Sequence, residues 1–226
     1  MMNLSSNEKS LPEKLADDII AYILENNLHP NDKLPVEAVL AEKLGAGRSS
    51  VREAMKLLAS RNIVSIRQGA GTFVANTPGV VDDPLGFTFI EDKQKLVKDL
   101  LEVRFLLEPS IAAMAATNAT PEDIAHIQRL CMETEQLLIS GKDHTEKDIE
   151  FHTAIALSSK NLVVPRLIPV INSSIPLFIN MTHSVLKQET IDTHRAIAAA
   201  ISEHNPIKAQ DAMYLHLVYN RNRLEM

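Results

Sequence analysis

Cysteine is nearly absent from the 226-residue chain, because Cys131 is the only one. A single cysteine excludes an internal disulfide and any zinc site made of several cysteines, and it fits a reducing cytoplasm. The sequence also lacks a run of about 18 apolar residues that could span a membrane, and its polar start has no signal-peptide core. We therefore expect a cytoplasmic protein that neither crosses a membrane nor is exported.

Internal repeats and low-complexity tracts are missing too, and the composition is that of an ordinary folded protein. Hydrophobic residues make up 45% and charged residues 23% of the chain, close to the averages of globular domains. The length suffices for one large domain or two small ones. A chain of this kind can bury a core and should not be disordered.

Positive charge is scarce overall, since the net charge is −6, but it is unevenly distributed. Residues 1–76 carry 9 of the 23 basic and 9 of the 29 acidic residues, so the whole acidic excess lies beyond residue 76. Within this first part, the stretch 43–67 has one acidic residue, Glu53, and six basic ones: Lys43, Arg48, Arg52, Lys56, Arg61 and Arg67. An anionic polymer would bind there.

The first 76 residues predict three short helices followed by a hairpin. Apolar residues recur at helical spacing in three successive segments: 11–26, 35–44, and a third that Ser49 or Ser50 can cap. Two β-branched runs then follow a turn signal and enclose a glycine-containing reversal: 63–66 and 72–74. The pattern predicts a winged helix-turn-helix over residues 1–76.

In a helix-turn-helix, the first residues of the second helix face base edges in the major groove of DNA. Arg48 and Arg52 suit this position, because an arginine fork can bind O6 and N7 of a guanine. The predicted wing favours this interpretation over a helical hairpin with a solvated basic face. The complete set of predicted DNA contacts is Arg48, Ser49, Ser50, Arg52, Lys56, Arg67, Gln68, Gly69 and Gly71.

Residues 77–92 are rich in turn-forming residues and are predicted to be a linker. The pattern beyond them predicts an all-α antiparallel bundle over residues 93–226, which makes the whole fold mainly α. Thr120-Pro121 marks a helix start, whereas Pro109 is expected to kink or interrupt its helix. Six helices are predicted in this part: 93–117, 121–140, 143–159, 161–184, 188–204 and 206–224.

Four residues in the predicted bundle could bind a metal ion. Asp148 and His152 are four residues apart in a helical stretch, so their side chains share one helix face. His194 and His216 stand among apolar, core-like neighbours. Each histidine taken singly is more often a hydrogen-bonded core residue, but together the four groups suit Zn²⁺, with Ni²⁺ and Mn²⁺ as alternatives.

Three blocks follow one another in the first part: Leu34-Pro35-Val36-Glu37, Arg48-x-x-Val51-Arg52-Glu53-Ala54 and Gly69-x-Gly71-Thr72-Phe73-Val74. Their order and spacing resemble the winged helix-turn-helix of GntR-family bacterial transcription regulators. One departure is Ala38, where many members have an arginine. The resemblance implies that a DNA contact usual in the family is missing here, which would shift operator preference or lower affinity.

The second part resembles the all-helical FCD ligand-binding domain of the FadR subfamily within these regulators. The resemblance rests on these residues: Leu101-Glu102-Val103-Arg104, Leu106-Leu107-Glu108-Pro109, Asp148, Phe151-His152, His194 and His216. It implies that Asp148, His152, His194 and His216 bind a divalent ion, and that Arg104 faces the same cavity and pairs with an effector carboxylate. A salt bridge from Arg104 to Glu102 or Glu108 is the alternative.

The resemblance implies a homodimeric, DNA-binding repressor of a carbon-source catabolic operon that reads a pseudo-palindromic operator in double-stranded DNA. Its effector would be a small organic acid, such as gluconate, galactonate or lactate, with Asn172 and Ser173 adding hydrogen bonds. Two alternatives use the same metal residues: a repressor that senses the ion itself, and a metal-dependent hydrolase or lyase. The sequence has no His-Glu-x-x-His motif, which weighs against an enzyme.

Overall fold

A computed structural model describes residues 9–81, 83, 85–168, 172, 175–176 and 187–224. The chain divides into two compact units, with the boundary between residues 82 and 83. Helices predominate in the described part, and two short strands form its only sheet. The prediction of a mainly α fold is confirmed. No helix among the described residues combines the length and the hydropathy needed to cross a membrane.

The first unit contains three helices: α1 (Leu11–Glu25), α2 (Glu37–Lys43) and α3 (Arg48–Ser60). At the start of α1, the carboxylate of Glu13 accepts hydrogen bonds from the backbone N–H and the hydroxyl of Ser10, at 2.7 and 2.8 Å. The apolar faces of the helices share one buried core, which includes Leu15, Ile19, Leu40, Val51 and Leu58. Because these residues face inward, the polar residues of α3 are left on the surface.

A hairpin completes this unit and forms the wing. Strands β1 (Val64–Arg67) and β2 (Gly71–Val74) are antiparallel, and Arg67 is opposite Gly71. Gly71 has a φ of 116°, and a Cβ atom there would lie 2.8 Å from Cε of Lys33. The positive φ favours glycine at this position, whereas the close approach involves only the end of the flexible Lys33 side chain, which can move.

The segment just after the hairpin belongs to the first unit by its contacts. The side-chain amide of Asn62 donates hydrogen bonds to the carbonyls of Thr77, at 3.1 Å, and of Val80. The backbone N–H of Gly79 in turn donates to the carbonyl of Asn62, at 2.9 Å. The first residues of the predicted 77–92 linker are thus tied to the winged unit rather than free.

The second unit is a helical bundle, and its described helices are α4 (Lys93–Asn118), α5 (Pro121–Ser140), α6 (Thr145–Ser158), α7 (Lys187–Ser202) and α8 (Pro206–Leu224). Residues 164–168, 172 and 175–176 are helical as well, and the rest of the predicted helix 161–184 after 168 lies outside the described residues. Helix α5 begins where Thr120-Pro121 predicts: Oγ1 of Thr120 accepts from the N–H of Asp123 at 3.3 Å.

Helix α4 is not interrupted at Pro109, so that part of the prediction was wrong. A proline removes one backbone donor, and α4 compensates by burying a long face that includes Leu100, Ile111 and Ala115. It packs mainly on α8, which also packs on α7. The bundle core encloses a set of buried polar side chains: Arg104, Glu108, Asp148, His152, Thr193, His194, His216 and Asn220.

Candidate functional site

Three histidines from three different helices meet inside the bundle. His152 on α6, His194 on α7 and His216 on α8 are between 1% and 4% exposed, and one nitrogen of each lies within 4.8 Å of those of the other two. The ring centroids are 5.7 Å (His152–His194), 5.3 Å (His152–His216) and 4.9 Å (His194–His216) apart. Imidazoles at these separations can bind one ion with small adjustments of the rings.

Asp148 lies beside two of the three rings. Its Oδ1 atom is 3.4 Å from Nε2 of His194, and its Oδ2 atom is 4.0 Å from Nε2 of His152. The carboxylate therefore faces the Nε2 side of both rings. Among the described residues, the group whose ligand atoms all lie within 4.8 Å of one another is the three histidines without Asp148. The carboxylate would have to move to join them around one ion.

Several of the buried imidazole nitrogens have no hydrogen-bond partner among the described residues. They are both ring nitrogens of His152 and both ring nitrogens of His194, whose ring stacks on Phe151 with a centroid separation of 4.3 Å. Burial lowers the pKa of His194 and of His216 well below the ordinary histidine value, with the neighbouring positive groups adding to the effect. Neutral imidazoles with free lone pairs are the form that binds metal ions.

His216 differs because its neighbours define which nitrogen is free. Its Nδ1 atom is 3.0 Å from the hydroxyl of Thr193, which donates its own proton to the carbonyl of Glu189 at 2.7 Å. The hydroxyl oxygen can then accept only from an Nδ1–H group, so Nε2 of His216 holds the lone pair. The side-chain amide of Asn220 approaches that Nε2 atom at 3.4 Å.

Arg104 and Glu108 form a buried ion pair at the edge of the histidine cluster. Oε1 of Glu108 accepts a short hydrogen bond from Nε of Arg104, and its Oε2 atom lies 2.5 Å from Nδ1 of His152, although that ring is not aligned for a hydrogen bond. Burial opposes ionisation of Glu108, but the charge of Arg104, the nearby His152 ring and the hydrogen bond from Arg104 outweigh it and hold the pKa of the carboxyl well below its usual range. Nη2 of Arg104 is buried without a partner.

A small cavity adjoins Glu108 and His152. Its lining includes Glu108, His152, Ile168 and Met213, and it measures about 10 Å³, which is room for about one water molecule. Of the two further residues predicted to bind an effector, Ser173 lies outside the described residues. Asn172 donates from Nδ2 to the hydroxyl of Thr153 at 3.3 Å, and its buried Oδ1 has no partner.

The predicted DNA contacts lie on the surface of the first unit. Arg48, Ser49, Arg52 and Lys56 are exposed along α3, and Ser50 is half-buried. Arg52 does not extend freely, because its Nε and Nη2 atoms donate to Oε2 of Glu37 at 3.0 and 2.9 Å. The helix therefore presents a basic face with one arginine held in a fixed direction.

The wing adds a second basic surface. The guanidinium of Arg67 lies over the ring of Phe73, 4.4 Å from its centroid, and Nη2 donates to Oδ1 of Asn31 at 2.9 Å. Gln68 and Gly69 are exposed in the turn, and Gly71 is half-buried where β2 begins. The described residues thus place all nine predicted contacts on α3 or on the wing of a single unit.

Sequence reasoning missed four residues that contact the predicted site residues. Thr193 and Asn220 bracket His216, Glu108 contacts His152, and Glu37 binds Arg52. Two of these residues had a sequence signal, because Glu108 stands four residues after Arg104 and Asn220 stands four residues after His216. The contacts of Thr193 and Glu37 join different helices, which spacing does not relate.

Comparisons with known proteins assign each of the two units to a known protein family. Residues 11–74 match the family described as bacterial regulatory proteins, gntR family, and residues 99–219 match the FCD domain. The chain is 32% identical to the Uxu operon regulator of Haemophilus influenzae, covering 82% of this chain and 71% of that protein. It is 34% identical to a protein named as the L-lactate dehydrogenase operon regulatory protein in Escherichia coli, over 93% and 85% of the two chains.

A solved structure is also similar over nearly the full length. It is titled Streptococcus agalactiae GntR, and the two chains superpose with a TM-score of 0.82 at 40% identity. The match covers 93% of this chain and 99% of the other. An agreement of this extent includes both the winged unit and the helical bundle.

Proposed function

The chain belongs to the gntR family of bacterial regulatory proteins and carries an FCD domain, and from this premise we propose that it represses a carbon-source catabolic operon in the cytoplasm in response to a small organic or sugar acid. Family membership makes the chain a DNA-binding transcription regulator and not an enzyme. The acid would bind beside a divalent ion, most simply Zn²⁺, held in the FCD domain.

The observation that supports a metal site is the set of unpaired buried nitrogens. Both ring nitrogens of His152 and of His194 are buried and have no hydrogen-bond partner in the part of the chain that the structure describes, and each unsatisfied group costs about 1–3 kcal/mol. An ion bound by Nε2 atoms and by Asp148 would satisfy the lone pairs that face it. The donor set of three imidazoles and one carboxylate fits Zn²⁺, with Ni²⁺ and Mn²⁺ as alternatives.

Arg104 supports the assignment of an acid as effector. Its Nη2 atom is buried and unpaired next to the histidines, and a guanidinium edge binds carboxylates through charge-assisted hydrogen bonds. A bound ion with an open position would supply a second contact for a carboxylate or hydroxyl oxygen.

A second copy of the chain would supply the second half of the DNA-binding surface. A single winged unit makes few contacts, whereas a two-fold dimer reads a pseudo-palindromic site with both units. An open groove of about 510 Å³ between α4 and α8 presents exposed apolar groups and charges of both signs: Phe105, Leu106, Tyr214, Lys98, Glu102 and Arg221. Such a groove can pair with its own copy, because opposite charges meet across a two-fold axis.

Thermal unfolding tests this function directly. The purified chain is measured with EDTA, with Zn²⁺, and with Zn²⁺ plus gluconate, galactonate or lactate. A ligand that binds only the folded state stabilises it by about 2.7 kcal/mol at one hundred times its Kd, so Zn²⁺ should raise the Tm and the cognate acid should raise it further. Operator binding, followed by fluorescence anisotropy, should weaken when the acid is added.

Two results would contradict the proposal in different ways. A metal response without any acid response favours the alternative, a repressor that senses the ion itself. An acid that stabilises the chain but leaves operator affinity unchanged removes the regulatory role, because a ligand shifts an equilibrium only by binding its states with different affinities.

A further inference from the structure

Glu108 occupies a position between two groups with separate predicted roles. One carboxylate oxygen contacts Nδ1 of His152, and the other accepts from Nε of Arg104. The side chain is 3% exposed, like that of Arg104. No other described acidic side chain contacts both the histidine cluster and the guanidinium.

The first contact bears on the metal ligand. Histidines that bind metals usually donate their second ring N–H to a carboxylate, a carbonyl or water, which fixes the tautomer and the direction of the ring. Oε2 of Glu108 lies 2.5 Å from Nδ1 of His152, although the ring is not aligned for a hydrogen bond. A small rotation of the ring would let Nδ1–H donate to this carboxylate, and the lone pair would then lie on Nε2. That is the atom which faces Asp148 and has no partner of its own.

The second contact bears on the guanidinium. Glu108 engages the Nε edge of Arg104 and leaves Nη2 unpaired. The guanidinium plane is therefore anchored from one side while the other side stays available. Since one carboxylate serves both neighbours, the orientation of the metal ligand and that of the arginine depend on the same side chain.

We propose that Glu108 is a positioning residue, which orients His152 for metal binding and at the same time anchors Arg104 next to the ion. The inference rests on the proposed metal site. It assigns Glu108 no direct contact with the ion or the acid. It predicts that removal of Glu108 lowers the metal affinity, whereas removal of Arg104, which breaks the same ion pair, does not.

The test uses metal alone and compares three variants of the full-length chain: Glu108→Met, Arg104→Met and the double variant. Both single variants break the same buried ion pair, but only Glu108→Met removes the partner of His152. The double variant removes one charge of each sign, so the net charge near the histidines is unchanged and any loss of metal affinity reflects the lost orientation of His152. It also leaves no lone buried charge that could prevent folding. Zn²⁺ affinity is measured by competition with a chromophoric chelator, and the Co²⁺-loaded proteins are compared by visible absorption.

Loss of a residue that orients a metal ligand typically weakens metal binding about 10- to 100-fold. We expect that loss in Glu108→Met and in the double variant, together with an altered Co²⁺ spectrum, while Arg104→Met binds at least as tightly as the original chain. Equal affinities in the original chain and the double variant would overturn the role of Glu108 but leave the metal site standing. If the original chain binds neither ion, the metal site itself is wrong and the inference falls with it.

Discussion

Replacing His194 by leucine should stabilise the metal-free chain, although it alters a fully buried residue. His194 is 1% exposed, and neither ring nitrogen has a hydrogen-bond partner within the described residues. If the cluster is a metal site, these nitrogens bind the ion, and without the ion they lower the stability of the folded chain. Leucine is similar in size and has no polar atoms to leave unsatisfied.

The expected size follows from the contacts of this residue. Two unsatisfied buried groups cost about 1–3 kcal/mol each. Against this, the variant loses the ring stacking on Phe151, worth about 0.5–1.5 kcal/mol, and changes shape in a packed core at a cost below about 1.5 kcal/mol. The middle values of these ranges leave a net gain of about 2 kcal/mol, which corresponds to a rise in Tm of roughly 4–8 °C for a unit of this size.

Thermal unfolding with EDTA and with Zn²⁺ separates the two effects. In EDTA the His194→Leu variant should unfold at a higher temperature than the original chain, and with Zn²⁺ it should lose most of the metal-dependent shift. His126→Leu is the matched control, because it removes an exposed imidazole from the same unit and should change stability by less than about 0.5 kcal/mol. A His194→Leu variant that is less stable in EDTA yet keeps the full Zn²⁺ shift would refute the reasoning.

Three further predictions concern protonation, DNA and assembly. Burial lowers the pKa of His194 on α7 and of His216 on α8, so below about pH 6.5 the unfolded chain binds more protons than the folded one. The stability of the metal-free chain should therefore fall by up to about 1.4 kcal/mol per pH unit for each histidine. Urea unfolding in EDTA at pH 7.5 and 5.5 should show this loss, and equal stability at both pH values would contradict it. Arg52→Ala should weaken operator binding in anisotropy titrations by roughly 1–3 kcal/mol. Lys9 is another exposed, ion-paired cation of the same unit, and Lys9→Ala should have little effect. Equal losses of affinity in both variants would indicate a purely electrostatic surface. Leu106 lies in the groove between α4 and α8, and Leu106→Glu should shift the chain to a monomer in light scattering. Leu162 is 90% exposed in the same unit, and Leu162→Glu should leave the dimer intact. A dimer that persists in Leu106→Glu would place the interface elsewhere.

Local signals predicted the fold because each of them acts within a few residues. The Thr120-Pro121 pair places the start of α5 since its cap and proline both act in the first turn. The hairpin follows from β-branched runs around Gly69 and Gly71. Pro109 misled for the same reason: one missing hydrogen bond is a local loss, and burial along the whole of α4 outweighs it.

The candidate site was predictable only in part, because its contacts join helices that are distant in sequence. The polar character of His194 and His216 within apolar stretches indicated buried functional groups. Their partners did not follow, since the contact of Glu108 with His152 depends on how α4 packs on α6, and the contact of Thr193 with His216 depends on how α7 packs on α8. Periodicity gives the face of each helix but not the rotation of one helix against another.

The ion pair of Arg104 with Glu108 bears on how an acid could act as a signal. A site that accepts a ligand without changing the protein around it would carry no information to a distant unit. Here Arg104 is already paired with Glu108, which also contacts His152 on α6. An acid that binds the guanidinium must therefore compete with Glu108, so we expect its binding to change the contact between α4 and α6. A coupling of about 1–3 kcal/mol between such a rearrangement and DNA binding is the usual size of an allosteric effect, and it is comparable to the strength of the few contacts that an entering acid must replace.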